Sequence, residues 1–114
     1  MYLSNAKKKT EILGVSEDLI KEKTVVSAEV AQAMSLGCQQ LFKTDIALST
    51  TGVAGPNSDE FNSEIGTVFY SIRVKDFEKT SRLYLPHLER KDFMNFVSQK
   101  VLQDLIQILI QENL

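Results

Sequence analysis

Tryptophan is absent from this 114-residue chain, and it has only one cysteine, one histidine and two prolines. Cys38 has no second cysteine with which to close an internal disulfide, and with His87 it makes no cluster at metal-ligand spacing. No metal site is therefore expected. Long apolar runs are also lacking: Leu105 to Ile110 is broken by Gln107, far short of the roughly 20 residues that span a bilayer, and no short apolar segment follows a basic start. These absences point to a cytoplasmic protein with no membrane partner. A basic surplus is missing too, since 13 Lys+Arg face 15 Asp+Glu for a formal charge of −2. Residues 24–72 hold a single lysine, Lys43, against Asp45, Asp59, Glu60, Glu64 and Glu29, and Lys7-Lys8-Lys9 is the one cationic run. Nucleic-acid binding needs several phosphates neutralised by one face, so it is excluded as a general property.

What is present suits one soluble domain over residues 1–114, with 43% of residues hydrophobic and 25% charged. Ser4 or Asn5 can cap a short helix that Gly14 ends, and Ser16 can cap another short turn. Thr24 to Val26 reads as extended. Ser27 then opens a helix to about Lys43, in which Ala31, Met34, Cys38, Leu41 and Phe42 recur at spacings of three and four. Ile46 to Thr50 has the β-branched and apolar character of a buried strand, and Gly52, Gly55 and Pro56 mark the turn that follows.

Further on, Val68, Tyr70, Ile72 and Val74 alternate with Thr67, Phe69, Ser71 and Arg73, the period of a strand. Lys75-Asp76 is the predicted hairpin turn, and the return strand from Phe77 stops near Leu85 because Pro86 cannot donate to a ladder. A long helix is predicted from about Lys91 to Gln111, with Met94, Val97, Val101, Leu105, Ile108 and Leu109 as its apolar stripe. Three strands and two long helices suggest an α/β layer, but such a sheet covered on both faces leaves much apolar surface uncovered. Met1-Tyr2-Leu3 reads like the tail of a strand with no earlier element to pair with, so the domain is expected to be partial at its N-terminus.

Ser4-Asn5 through Lys9, Leu13-Gly14-Val15, Val26-Ser27, the block Thr51-Gly52-Val53-Ala54-Gly55-Pro56 and the segment Glu64 to Tyr70 follow one family in order and spacing. Through them the chain resembles the C-terminal domain of CinA, the competence/damage-inducible protein, a bacterial-type family that includes nicotinamide-nucleotide amidases. The resemblance implies a three-layer α/β/α fold with a mixed sheet, here without the first helix and leading strands. It also implies hydrolysis of nicotinamide mononucleotide to nicotinic acid mononucleotide and ammonia, by a Ser-Lys mechanism without metal or cofactor. The family's nucleophilic serine lies in an Ala-Glu-Ser-Cys-Thr-Gly-Gly motif that does not occur in this sequence. Since the covalent step needs that serine, the chain is expected to be inactive by itself.

In the family the base is a lysine five residues after a tyrosine and shortly before Leu-Gly-Val. Counting back from Leu13-Gly14 gives Lys9; anchoring on Ser4-Asn5 gives Lys8, and anchoring on Tyr2 gives Lys7. Lys9 is preferred; a lysine acts as base only when its pKa falls, and two neighbouring ammonium groups push in that direction, although the run also reads as a solvated helix start. Thr51 and Gly52 match substrate-facing family positions, and with Ala54 and Gly55 they form a strand end at which hydroxyls and backbone N–H groups can meet a ligand. Gly52 is expected at positive φ. Tyr2 and Arg90 complete the candidate substrate contacts, Arg90 standing where the family often has Gly-Asp-Arg before its last helix, without the Gly-Asp. The alternative reading is a non-catalytic nucleotide-binding or oligomer-forming remnant. In either case an unpaired strand edge and uncovered helix stripes favour a homo-oligomer.

Overall fold

The computed structural model describes Thr10 and residues 13–19, 26–53 and 65–112. Ser27 opens helix α1 (Ala28–Phe42) as expected: it is extended, and its hydroxyl accepts the N–H of Val30, one of the donors a helix start leaves unpaired. Lys43 ends the helix in the left-handed region at φ 52°, with its N–H on the Gln39 carbonyl. Strands β1 (Ile46–Gly52), β2 (Thr67–Val74) and β3 (Phe77–Tyr84) follow, then helix α2 (Arg90–Gln111). The sheet order is β1-β2-β3 and both pairings are antiparallel. The antiparallel part of the sheet is thus wider than the hairpin alone and takes in β1.

The period-2 alternation of β2 assigns each face to one helix. Val68, Tyr70, Ile72 and Val74 share a core with Phe93, Val97, Val101 and Ile108 of α2. On the other face Ser71 exchanges a 2.8 Å hydrogen bond with Ser35 of α1, and the Ser49 hydroxyl of β1 donates to the Ala31 carbonyl at 2.5 Å. The helices therefore cover opposite faces, giving the three α/β/α layers. One interface is apolar, where each buried side chain of this size contributes about 1.5–3 kcal/mol. The other is tied by hydroxyls: Ser71 also donates to Glu78, and the Arg73 guanidinium reaches Ser35 and the Gln32 carbonyl. Leu13, Val15, Val30 and Met34 form a second small core along a flank of α1. A Cβ at Gly37 would lie 2.0 Å from the Leu13 carbonyl oxygen, so this approach of chain to helix requires glycine.

Several local expectations need adjusting. Leu41 and Phe42 are exposed rather than part of the α1 stripe, because the last turn runs past the sheet toward Lys43. On α2 the buried line is Phe93, Val97, Val101, Asp104 and Ile108. Met94, one residue off that line, is rotated by about 100° into solvent. Strand β1 continues two residues beyond Thr50, since Thr51 and Gly52 pair with Phe69 and Val68. Gly14 ends a turn at φ 73° with its N–H on the Thr10 carbonyl, and Ser16 accepts the N–H of Leu19, both as expected. Lys75 and Asp76 form the hairpin turn.

Candidate functional site

The carboxyl end of β1 gathers most of the described candidate residues. Thr51 is 4% exposed, on the α1-facing side with Ala47 and Ser49, and it makes interactions within the fold. Gly52 is a ladder residue opposite Val68 and is not among the glycines with positive φ, which corrects the expectation of a left-handed turn. Its requirement is space: a Cβ there would meet the Val68 Cβ at 2.9 Å and the Thr67 carbonyl oxygen at 3.0 Å. The left-handed glycine of this region is Gly66, at φ 90°, where a Cβ would lie 2.5 Å from Pro86 Cα. Gly66 donates to the Val53 carbonyl at 2.6 Å and accepts from Leu85 at 2.7 Å, so it fastens the ends of β1 and β3 together.

Thr67 stands beside this junction and was not singled out from the sequence. Its carbonyl accepts the Val53 N–H at 2.9 Å, while its side-chain hydroxyl is buried without a hydrogen-bond partner. Alternation along β2 puts Thr67 on the same face as Ser71, hence toward α1. The only sequence sign of it was a hydroxyl at an inward position of a strand.

Arg90 is the first residue of α2 and is exposed. It follows Tyr84, the register partner of Thr67, by six residues, which puts it at the same end of the sheet as Gly52. Tyr2, Lys7, Lys8, Lys9, Ala54 and Gly55 lie outside the described residues. Among the described residues no group of three His, Cys, Asp or Glu could hold a metal ion, and no helix is long and apolar enough to cross a membrane.

A second polar cluster lies on the opposite face of the sheet. The Tyr70 phenol donates to the carboxylate of Asp104, which also pairs with Lys100 at 3.3 Å. Burial, then the neighbouring carboxylate, pushes the Tyr70 phenol up to about 12. Burial alone would raise the Asp104 carboxyl, but the hydrogen bonds from Tyr70 and Lys100 and the lysine charges outweigh it and hold the group below the usual carboxylate value. Its sequence sign was an aspartate on the line Val97, Val101, Asp104, Ile108, where an apolar residue belongs. An open depression of about 370 Å³ beside it is lined by Lys100, Gln103, Asp104, Ile106 and Gln107 of α2 alone. It lies across the sheet from Thr51 and shares no residue with the β1 end.

The model of the CinA C-terminal domain matches residues 2–109, nearly the whole chain. The chain belongs to that family. A CinA-like protein of Geotalea uraniireducens is 45% identical over 84 residues, covering 74% of this chain and 20% of that protein. A CinA-like protein of Flavobacterium psychrophilum is 47% identical over 64 residues, 56% of this chain and 15% of the relative. This CinA domain thus spans about a quarter or less of the length of these curated relatives. Among solved structures, a CinA superfamily protein from Enterobacter cloacae superposes with a TM-score of 0.88 at 24% identity, over 94% of this chain and 63% of that one. One from Escherichia coli gives 0.87 at 25% identity, over 92% and 60%. The α/β architecture of the CinA fold is accordingly that of this chain.

Proposed function

We propose that the chain carries the substrate-facing part of a nicotinamide-nucleotide amidase site, the site that converts nicotinamide mononucleotide to nicotinic acid mononucleotide and ammonia, and that the 114 residues alone do not turn it over. The observation that carries the reading is Thr51, a buried hydroxyl residue at the carboxyl end of β1, next to a glycine that lets two strands close without a side chain between them. Ligands of α/β sheets gather at such strand ends. Thr51 holds the reacting carboxamide, Arg90 meets the phosphate, and Gly52, Ala54, Gly55 and Tyr2 are the further candidate substrate contacts. Lys9 is the general base, with Lys8 or Lys7 as alternatives in the other registers. The attacking serine is the one element for which the sequence offers no candidate, so the chain binds nucleotide without catalysing. The setting is cytoplasmic, and the protein works as a homo-oligomer.

The test is ammonia release from nicotinamide mononucleotide by the isolated chain, together with a titration that reports binding. Binding without turnover is expected. Turnover above a buffer blank that survives combined substitution of Lys7, Lys8 and Lys9 by methionine overturns both the inactivity and the mechanism. Absence of binding at millimolar nucleotide removes the substrate assignment.

A further inference from the structure

Resting on the amidase reading above, we infer that Arg82, held over the ring of Tyr84, is a second cation on the substrate's phosphate, and that the Thr67 hydroxyl bonds the adjoining ribose. Register and alternation put three residues in one row on the α1-facing side of the sheet. Thr51 of β1 stands opposite Phe69 of β2, and Phe69 opposite Arg82 of β3. The next row out is Val53, Thr67 and Tyr84: the Val53 N–H donates to the Thr67 carbonyl, and Thr67 is the register partner of Tyr84. Helix α1 ends over these rows. The Gln39 side-chain amide donates to the Asp45 carbonyl, and the Ser49 hydroxyl donates to the Ala31 carbonyl. Between those two ties the helix advances about 12 Å and the strand about 13 Å, in opposite directions. Continued at that rate, the Ser27 cap lies over Thr51, and the row of Thr67 and Tyr84 lies beyond the helix.

Two independent features mark this end of the sheet for a ligand. Arg82 is exposed and leans along β3 toward Tyr84, its guanidinium carbon 5.6 Å from the ring centroid. Among the described residues no carboxylate pairs with it, and Glu78, the acid on the same face of β3, accepts from Ser71 and Thr80 instead. A guanidinium lying on an aromatic face keeps its N–H edge free for the two parallel hydrogen bonds that a phosphate takes. The second feature is Thr67, whose buried hydroxyl has no partner. An orphaned hydroxyl costs stability, and a bound hydroxyl group would remove that cost. The spacing suits the substrate. From β1 to β3 is two strand separations, roughly 9–10 Å, comparable to the reach of a mononucleotide from carboxamide to phosphate. With the carboxamide at Thr51, the ribose falls over β2 at Thr67 and the phosphate over β3 at Arg82. Arg90 meets the same phosphate from the start of α2.

Titration of the 114-residue chain with nicotinamide mononucleotide and with nicotinamide riboside, which lacks the phosphate, tests both contacts. Arg82→Gln is expected to weaken the mononucleotide about tenfold or more and to leave the riboside unchanged, with Arg82→Lys keeping part of the affinity. Thr67→Val is expected to weaken both ligands by a similar factor while the urea midpoint rises, which separates a lost ligand bond from a damaged fold. Far-UV circular dichroism checks that each variant folds. Equal loss of both ligands in Arg82→Gln, or no loss of either, overturns the phosphate contact. Unchanged binding in Thr67→Val overturns the ribose contact and assigns its hydroxyl to the interior alone. Either result leaves the amidase reading standing. A parent chain that binds neither ligand at millimolar concentration removes that reading and this inference with it.

Discussion

The phenol of Tyr70, in the centre of β2, donates its hydrogen to the carboxylate of Asp104, in the C-terminal half of α2. Both residues are almost wholly buried, and they lie inside the same layer as Ile72, Val97 and Val101. A polar bond within an apolar interface fixes the helix against the sheet at one register, since sliding α2 by one turn would bury both groups unpaired.

Removing one partner should therefore cost more than removing both. Asp104→Ala leaves a buried phenol without its acceptor and Tyr70→Phe leaves a buried carboxylate with only Lys100; each is expected to lower stability by about 1–3 kcal/mol in urea unfolding. The double variant Tyr70→Phe with Asp104→Leu should recover much of that loss. The pH dependence has a definite sign. Asp104 is held below its unfolded value of 3.8, so its contribution is complete above that value and is lost as pH falls through the folded-state pKa. Tyr70 is raised from 10.0 to about 12, so its contribution is complete below pH 10 and is lost as pH rises through the folded value. Asp104→Asn should flatten the acid side of the stability profile.

Elements whose partners are local were legible in the sequence. The Ser27 cap, the Lys75-Asp76 turn and the alternation of Val68 to Val74 depend on neighbours within a few residues. Asp104 was passed over because its partner Tyr70 is 34 positions away, and spacing alone marks an aspartate on an apolar line without naming what satisfies it. Gly52 was rightly read as a required glycine but for the wrong cause. A conformational need shows in a turn motif, whereas a steric need depends on Val68 across the ladder. Thr51 became a candidate site residue through the family pattern, since a threonine in a strand has no chemical signature of its own.

The two kinds of glycine give separable outcomes. Gly52→Ala forces a Cβ into Val68 and the Thr67 carbonyl, so it should cost about 1–3 kcal/mol as an overpacking change. Gly14→Ala meets open space and should cost about 1 kcal/mol from its φ of 73° alone. Asparagine, which tolerates the left-handed region, should recover part of the loss at position 14 and none at position 52. Thermal and urea unfolding of the four variants checks this.

Thr67 offers a stabilising change. Its buried hydroxyl lacks a partner, and valine keeps the shape while removing the polar atom. Thr67→Val is expected to raise stability by about 1 kcal/mol, helped by the preference of valine for strands. The urea midpoint should rise with an unchanged slope. A fall would mean that an internal water satisfies the hydroxyl in solution.

The last prediction concerns chemistry at the β1 end once a serine-bearing segment is supplied, by fusion or in trans. With that segment present, Lys9→Met should remove proton transfer and lower kcat by roughly 10²- to 10⁴-fold with little change in KM. Thr51→Val keeps the shape of a buried residue but takes a hydrogen-bonding group from the reacting carboxamide, so kcat/KM should fall by the equivalent of about 1–3 kcal/mol. Gly52→Val should do more damage than either on stability, because even a single Cβ there collides with the neighbouring strand. Steady-state ammonia release with the variants side by side separates these roles. Loss of turnover in Lys8→Met with Lys9→Met spared would assign the base to the register anchored on Ser4-Asn5. If neither lysine matters, the chain retains the fold of its family while the proton transfer belongs to some other group, and the Ser-Lys reading of this site falls.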